Sequence, residues 1–200
     1  MPELPIILAS ASAIRLHLLV NAGLTVTARP ARVDEVAARQ ALAHDAAKPR
    51  DIADALAEMK ARKVAASQPA ALVLGCDQVL ALGDRLLSKP ESEGDALHQL
   101  KDLRGQTHAL HSAIVLYHEG QPIWRHIGTA KLTMREASDS YLDGYLQRNW
   151  PAVAQSVGSY MLEGEGVRLF TGIEGDYFTI LGLPLLPLLS YLSLRGFIQS

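Results

Sequence analysis

The order of the predicted elements indicates an α/β protein whose mixed, twisted sheet is flanked by helices. Three observations predict this class. The first half of the chain alternates short buried strands with amphipathic helices, two long strand candidates then form a hairpin, and an apolar stretch over residues 181–194 is typical of a buried helix. With 200 residues, of which 48% are apolar, the chain is large enough to bury one substantial core.

The first strand–helix unit is predicted from an apolar run and the helical stripe that follows it. Residues 6–8 are all apolar and are interpreted as a buried strand. Ser12 is a suitable N-cap for the next helix, and Asn21-Ala22-Gly23 contains residue types that end helices. Residues 24–28 alternate between apolar and polar, which favours a second strand.

Two helices and another buried strand are predicted in the middle of the chain. Residues 35–43 fit a short helix, and residues 49–67 fit a longer one with an apolar stripe and a proline suited to its first turn. Residues 71–75 form an apolar run that is typical of a buried strand, and residues 79–82 would extend it or pair with it.

The second half of the chain combines a long hairpin with two further helices. The predicted elements are helices at 92–103 and 138–148 and strands at 108–117 and 123–134. Residues 119–122 would join the two strands as a hairpin turn. Residues 156–183 contain six glycines, and short strands joined by tight turns are predicted there.

Composition excludes several classes of function. Nineteen basic and 21 acidic residues give a net charge of −2, so there is no basic excess to bind a nucleic-acid polymer. The single cysteine, Cys76, excludes an intramolecular disulfide and a cysteine zinc cluster. The N-terminal residues do not resemble a signal peptide, and the apolar stretch 181–194 is short for a bilayer span of about 20 residues. These features predict a cytoplasmic protein with no membrane partner.

The loop after the first strand has the residue types of a phosphate site. Ser10 and Ser12 precede a predicted helix N-terminus, where backbone N–H groups and the helix dipole favour an anion, and Arg15 adds a cation. The same residues are also consistent with an ordinary helix cap and a surface arginine, and the segment alone does not decide between the two.

Two acidic and two basic positions could serve a polyphosphate. Asp77 follows a buried strand, at a position where α/β folds often place ligand groups, and Glu35 lies in a second acidic segment. Carboxylates that converge there could hold Mg²⁺. Lys60 lies near the apolar stripe of its helix, and Lys89 precedes another helix. Each residue alone also has an ordinary structural explanation, as a turn or helix-cap residue for the acids and as a solvated lysine for the bases.

Eight segments in a fixed order combine these separate hints into one pattern. They are Leu8-Ala9-Ser10-Ala11-Ser12-Ala13-Ile14-Arg15, Val33-Asp34-Glu35, Leu56-Ala57-Glu58-Met59-Lys60-Ala61, Leu74-Gly75-Cys76-Asp77-Gln78-Val79, Ser88-Lys89-Pro90, Leu103-Arg104-Gly105-Gln106-Thr107-His108, Gly158-Ser159-Tyr160 and Ile173-Glu174-Gly175-Asp176-Tyr177. In this order and spacing the chain resembles the Maf family of nucleoside triphosphate pyrophosphatases. The resemblance extends over nearly the whole chain.

The resemblance implies one domain over residues 1–200, with two lobes that share a cleft. It also implies cleavage between the α- and β-phosphates with a divalent cation, Mg²⁺ or Mn²⁺, and it makes a homodimer the expected assembly. By position, Asp77 matches the proton acceptor of the family. The other positions that match polar residues of the family's site are Ser10, Arg15, Glu35, Lys60, Lys89 and, more weakly, Ser12 and Asp176. Glu35 and Asp77 are the candidate metal ligands, and the sequence leaves open which of them accepts the proton.

Three positions depart from the common family pattern and bear on the substrate. Ile14 stands where the family often has arginine, Gln78 where it often has threonine, and Glu163 where it often has glutamine. This set resembles the subgroup that hydrolyses 7-methyl-GTP, although tryptophan is the usual residue at the position of Ile14. A carboxylate at 163 could accept hydrogen bonds from the N–H groups of guanine.

Three functions therefore remain from the sequence. The first is a pyrophosphatase for 7-methyl-GTP or another modified nucleotide, which would remove such nucleotides from the cellular pool. The second is a dTTP or UTP pyrophosphatase of the same family. The third is a nucleotide-binding regulator of cell division with little turnover. Only the enzymatic functions require Asp77 to take part in chemistry.

Overall fold

The computed structural model describes residues 4–199, which contain seven β-strands and seven α-helices. The strands are β1 (Ile6–Leu8), β2 (Val26–Ala28), β3 (Leu72–Leu82), β4 (Arg85–Leu87), β5 (Thr107–His118), β6 (Gln121–Met134) and β7 (Phe170–Glu174). The helices are α1 (Ala13–Asn21), α2 (Glu35–His44), α3 (Pro49–Ala65), α4 (Glu93–Leu103), α5 (Asp139–Asn149), α6 (Tyr177–Ile180) and α7 (Leu185–Leu194).

All seven strands belong to one mixed sheet, as the sequence predicts. Its order is β2-β1-β3-β5-β6-β7, and β4 pairs with β3 outside this path. Strand β1 is parallel to both β2 and β3, whereas β4 is antiparallel to β3 and β7 is antiparallel to β6. The parallel pairs come from strand–helix units and the antiparallel pair β3–β4 from a two-residue turn, whereas β7 returns to β6 only after α5, and so both orientations occur in one sheet.

The chain divides into two compact units. Among the described residues, unit 1 contains 4–78, 112–128 and 176–199, and unit 2 contains 79–111 and 129–175. The chain passes from one unit to the other within β3, β5 and β6, and again between Gly175 and Asp176.

Unit 1 has a leucine-rich core on one face of its strands. Alternate residues of β3, namely Leu72, Leu74 and Cys76, belong to the same buried cluster as leucines of α1 and α7. Alternation along the strand turns the intervening residues toward the opposite face, where α3 packs. Helices therefore cover both faces of the parallel part of the sheet, as parallel strands require.

In unit 2, helices α4 and α5 pack on each other, and a 3₁₀ turn over Val157–Ser159 packs on α4. Most of the predicted helix starts are confirmed by their caps. Ser12 accepts a hydrogen bond from the backbone of Arg15 at 3.5 Å, and Ser92 accepts one from Asp95 at 3.1 Å.

Three details of the fold differ from the sequence-based prediction. The prediction of several short strands over residues 156–183 is wrong: that stretch contains three 3₁₀ or α-helical turns and only one strand, β7. Glycines there permit tight turns, but they do not supply a second strand for pairing.

The hairpin loop is shorter than the predicted turn over residues 119–122. It has only two residues, Glu119 and Gly120, because both adopt the positive φ that such a tight turn requires. Strand β4 was not predicted.

Helix α7 confirms the apolar C-terminal helix, although it begins only after Pro184. Among residues 4–199, no helix combines the length and apolar character needed to cross a bilayer.

Unit 2 also buries an uncharged histidine. His108 is 2% exposed, its Nε2 lies 2.8 Å from the hydroxyl of Tyr160, and its Nδ1 has no hydrogen-bond partner within residues 4–199. Burial lowers the pKa of His108 to about 4, because a charged ring would lose its hydration without gaining an acidic partner.

We expect this histidine to make the stability of the protein depend on pH. Unfolding restores the pKa of His108 to its ordinary value near 6.5. Between pH 6.5 and about 4, the His108 ring therefore binds a proton in the unfolded chain but stays neutral in the folded chain. The free energy of unfolding should therefore fall as the pH drops through this window, by about 3 kcal/mol in all. His108→Gln should flatten this part of the profile in urea denaturation at successive pH values. His17→Gln, at an exposed position of α1, is the control, and an equal slope in the two variants would contradict the assignment.

Candidate functional site

The loop between β1 and α1 is organised around the guanidinium of Arg15. Its Nε donates to the carbonyl of Gly182 at 2.8 Å, and its Nη1 donates to the carbonyl of Cys76 at 3.1 Å and to Ser10 Oγ at 3.3 Å. These bonds fix the planar group, while its Nη2 makes no hydrogen bond to the described part of the chain. An anion placed over this loop would meet a cation that is already oriented.

The two serines of the loop have different tasks. Ser12 caps α1, whereas Ser10 is buried and its Oγ also accepts a hydrogen bond from the backbone of Ser12 at 3.2 Å. Together they hold the turn at the N-terminus of α1, where backbone N–H groups and the helix dipole favour negative charge. Unit 1 therefore brings Ser10, Ser12 and Arg15 together, as the phosphate-site prediction requires.

A second group of charges lies beside β3. The ammonium of Lys60 is 2.7 Å from Glu35 Oε2 and 2.7 Å from Asp77 Oδ1. Lys60 and Asp77 are buried, while the Glu35 side chain is 43% exposed. One lysine thus separates two carboxylates that would otherwise repel each other, and the three groups together carry a formal charge of −1.

Helices α2 and α3 supply the partners of Asp77. Asp34 caps α2 by accepting a hydrogen bond from the backbone N–H of Ala37 at 2.9 Å, and this cap places Glu35 in the first turn of α2. Lys60 comes from the buried face of α3. Asp77 occupies an alternate position of β3 that faces α3, one residue after Cys76 of the leucine-rich core.

The buried carboxylate of Asp77 is only half engaged. Its Oδ1 contacts Lys60, but its Oδ2 is buried and has no hydrogen-bond partner among residues 4–199. A buried carboxylate oxygen without a donor costs free energy unless a ligand, a water or a metal ion satisfies it. Within the described residues, no group of three or more histidine, cysteine, aspartate or glutamate side chains could hold a metal. Two carboxylates of this kind fit a Mg²⁺-type ion only if substrate phosphates and water complete its coordination.

The remaining predicted residues lie at several places. Ile14 is half-buried on α1, and Gln78 is half-buried on β3 in unit 1. Asp176 caps α6 by accepting hydrogen bonds from the backbone and the hydroxyl of Thr179, so it has a structural task in this fold. Lys89, after β4, and Glu163, between two 3₁₀ turns, are exposed residues of unit 2.

Cys76 is excluded as a nucleophile. It is fully buried in β3, and burial raises the pKa of its thiol to about 11, so the reactive thiolate is scarce near neutral pH. Its contribution to the site is the backbone carbonyl that holds Arg15.

Sequence reasoning missed three features of this site. The first is the pair of backbone carbonyls, of Cys76 and Gly182, that orients Arg15. The type of side chain does not indicate which backbone carbonyl will act as an acceptor. Ser112 is completely buried and contacts Gln78, and its only signal is a lone hydroxyl within the apolar run of β5. Gly75 permits α3 to approach β3, because a Cβ at 75 would lie 2.0 Å from the Ala57 carbonyl oxygen and 2.6 Å from the Ala61 nitrogen.

Comparison with known proteins gives one family. The family model described as Maf-like protein matches residues 5–194. The nucleoside triphosphate pyrophosphatase of Ruegeria pomeroyi is 57% identical to this chain, and that of Roseobacter denitrificans is 56% identical; each alignment covers 196 residues and 98% of both chains. The 7-methyl-GTP pyrophosphatase of Rhizobium meliloti is 50% identical over 195 residues, again 98% of both chains.

We expect Gly75→Ala to separate α3 from β3. The added methyl would collide with backbone atoms of Ala57 and Ala61, which cannot rotate away, so the helix must shift at a cost of about 1–3 kcal/mol. The measurement is the free energy of unfolding in urea. Gly94→Ala in α4 is the matched control, because its nearest neighbour is the Ser92 hydroxyl at 3.8 Å and alanine favours a helix. A Gly75→Ala variant as stable as wild type would show that α3 tolerates the displacement.

Proposed function

Since the chain belongs to the family of Maf-like proteins, we propose that it hydrolyses nucleoside triphosphates to the monophosphate and pyrophosphate. The observation that carries the proposal is the arrangement in unit 1, where an oriented arginine and a helix N-terminus adjoin a half-engaged buried carboxylate. Attack of water on a phosphate requires cations that stabilise the negative charge and a separate group that accepts a proton from the water.

The reaction assigns tasks to several side chains of unit 1. A water oxygen bonds to the α-phosphorus, the bond from that phosphorus to the bridging oxygen breaks, and pyrophosphate leaves with the electron pair. Asp77 accepts the proton of the attacking water, because its Oδ2 is the buried oxygen without a partner. Arg15 and the N-terminus of α1 stabilise the negative charge of the phosphates.

Lys60 has two tasks in this proposal. Its contact with Asp77 Oδ1 keeps that carboxylate oriented, so the other oxygen is the one that faces a ligand. Its second contact holds Glu35 near the phosphates instead of leaving the exposed carboxylate to solvent. Lys89 and Glu163 remain predictions of the sequence, and the proposed chemistry rests on unit 1 alone.

We propose Mg²⁺ or Mn²⁺ as the cofactor, with Glu35 and Asp77 as its protein ligands. The fit rests on the unsatisfied Oδ2 of Asp77, the partial exposure of Glu35 and the formal charge of the group, which is negative despite Lys60. When bound, such an ion neutralises phosphate charge and stabilises the departing pyrophosphate.

The proposed activity predicts where an isotopic label appears. With Mg²⁺ or Mn²⁺ and isotopically labelled water, the protein should release pyrophosphate, and the label should appear in the nucleoside monophosphate because water attacks the α-phosphorus. Asp77→Asn should lower kcat by about 10²–10⁴-fold while it still binds a non-cleavable α,β-methylene nucleotide.

The matched control for this experiment is Asp102→Asn, which changes an aspartate of α4 that pairs with Arg85 in unit 2. Its turnover should stay within twofold of the wild type. Orthophosphate as the first product would reject the pyrophosphatase, and nucleotide binding without turnover would support the regulator.

We further propose 7-methyl-GTP, or a similarly modified purine nucleotide, as the preferred substrate. Gln78 and Glu163 match the residues of that subgroup, Ile14 is apolar in place of its usual tryptophan, and the Rhizobium meliloti relative carries that name. An aliphatic side chain at 14 would accommodate a methylated base, although it cannot stack on a cationic ring as tryptophan would.

The substrate proposal predicts an order of kcat/KM and a way to sharpen it. Among 7-methyl-GTP, GTP, ITP, dTTP and UTP, the first should have the highest kcat/KM, by about tenfold. Ile14→Trp should raise the preference for 7-methyl-GTP over GTP by about fivefold, because the indole attracts the cationic base. Val20→Trp, on an exposed part of the same helix, should leave this ratio unchanged. A preference for dTTP or UTP would favour the other subgroup.

A further inference from the structure

Arg29 directly follows β2, at the carboxyl end of the parallel strands of unit 1. The backbone N–H of Arg29 donates to the carbonyl of Leu8 at 2.8 Å, and that of Ala9 donates to the carbonyl of Leu74 at 2.7 Å. These two bonds continue the parallel pairing of β1 with β2 and β3 by one residue beyond Leu8. Arg29, Ala9 and Gly75 therefore lie side by side in one row across three strands.

This row identifies the face of the sheet on which Arg29 lies. Residues paired across neighbouring strands share a face, and a Cβ at Gly75 would collide with backbone atoms of α3. Asp77 lies two positions after Gly75, so it belongs to the same face, where it contacts Lys60. Arg29 thus lies on the α3 side of the sheet, as Asp77 does, and two strands away from it.

The separation of the two residues suits a polyphosphate. Neighbouring strands are about 4.8 Å apart, so β2 and β3 are separated by about 10 Å. Strand β1 lies between them, and the loop that follows β1 holds the oriented guanidinium of Arg15. An elongated chain of phosphates placed over this loop would have one end at Asp77 and the other near Arg29.

The guanidinium of Arg29 is available for an anion. Its side chain is exposed, and within residues 4–199 it has neither a hydrogen bond nor an ion pair. The two cations already described in unit 1, Arg15 and Lys60, only balance the two carboxylates beside them, so the formal charges sum to zero. A triphosphate carries more negative charge than one divalent cation neutralises. Arg29 is therefore a further cation that the substrate can use.

The direction of the reaction decides which phosphates Arg29 meets. Water attacks the α-phosphorus with Asp77 as the proton acceptor in the proposed reaction, so the α-phosphate lies nearest to β3. The attacking and leaving oxygens are roughly in line, and the leaving pyrophosphate therefore lies on the side away from the water. The N–H groups and Arg15 of the loop after β1 lie on that side, and Arg29 lies one strand beyond them.

We propose that Arg29 binds the terminal phosphates of the substrate and stabilises the departing pyrophosphate. The inference rests on the proposed hydrolysis of a nucleoside triphosphate and adds a residue of its leaving-group site. A guanidinium can form two parallel hydrogen bonds to phosphate oxygens and keeps its charge near neutral pH. When the bond from the α-phosphorus to the bridging oxygen breaks, the electron pair stays on the pyrophosphate, and Arg29 offsets the charge that builds there.

Separate binding of the two products tests this assignment. In calorimetry with Mg²⁺ at low salt, Arg29→Gln should weaken the binding of pyrophosphate by about tenfold, because a charge-assisted pair of hydrogen bonds is lost. Binding of the nucleoside monophosphate should change by less than twofold. An equal loss for both products, no loss for pyrophosphate, or a wild type that does not bind pyrophosphate at millimolar concentration would overturn the proposal.

Salt and a lysine variant test the role of the charge. At about 1 M KCl the screening length falls to about 3 Å, so the difference between the wild type and Arg29→Gln should shrink to less than about threefold. Arg29→Lys keeps the charge without the planar fork, and it should recover part of the lost affinity. A loss that is equal at low and high salt and is as large in Arg29→Lys would point to a changed conformation of the β2–α2 connection and would reject the proposal.

The matched control is Arg195→Gln. Arg195 is an exposed arginine of unit 1 at the C-terminal end of α7, and the residues that follow it line a cavity with Pro5 and Ile6 at the start of β1. This variant removes one positive charge at the opposite end of β1, so its binding of pyrophosphate should stay within twofold of the wild type. A loss as large as that of Arg29→Gln would show that only net charge matters and would overturn the assignment.

Turnover of GTP distinguishes failure of this inference from failure of the proposed function. Arg29→Gln should lower kcat/KM by about tenfold, because the interaction forms with the leaving group. If the wild type binds pyrophosphate through Arg29 but releases none from nucleotides, the proposed function is rejected and the anion site remains. If the wild type is active and Arg29→Gln equals it in pyrophosphate binding and turnover, the inference is rejected and the proposed function remains.

Discussion

Helix α3 approaches strand β3 at Gly75 more closely than any side chain at that position would permit, and the charged part of the site depends on this contact. Ala57 and Ala61 form the small-residue face that meets Gly75. Lys60 precedes Ala61, and Asp77 lies two positions after Gly75 on the same face of β3, so close packing of backbones brings their opposite charges to 2.7 Å. A buried ion pair of this kind is costly to break by removal of one partner, which ties the chemistry of the site to the packing beneath it.

The two faces of β3 carry different parts of the proposed recognition. Asp77 turns toward α3 and its lysine, whereas Gln78 turns toward Ser112 and the α6 turn. Between them, the Cys76 carbonyl holds Arg15. Because β3 continues beyond the end of β1, groups from both faces lie along one stretch of strand, in keeping with the general tendency of α/β sheets to bind ligands at the carboxyl ends of parallel strands. Three consecutive residues thus combine proton transfer, phosphate orientation and base recognition in the proposed enzyme.

Much of the fold could be predicted because local chemistry was sufficient for it. The caps Ser12, Asp34 and Ser92, the proline in the first turn of α3 and the apolar run of β3 all act over a few residues, and the helices formed near their predicted bounds. Strand β3 continues past its predicted end at residue 75 to Leu82, so Asp77 lies within the strand and not after it. The glycine-rich stretch 156–183 was mispredicted because a glycine permits many turns and does not select a pairing partner. In the candidate site, the order of eight short segments identified Ser10, Arg15, Glu35, Lys60 and Asp77, and unit 1 brings these residues together in two groups.

The sequence by itself determined the α/β class, the family and the identity of the charged residues, since these follow from periodicity, capping and motif order. Only the tertiary structure decided how those residues are paired. Arg15 is held by carbonyls 61 and 167 positions away, and the amide of Gln78 is held by carbonyls more than 100 positions away. Backbone carbonyls are the same in every residue, so no sequence pattern distinguishes the ones that act as acceptors. Packing sets the direction of these carbonyls. It thereby also sets the orientation of the Arg15 guanidinium, the half-engaged Asp77 carboxylate and the Gln78 amide.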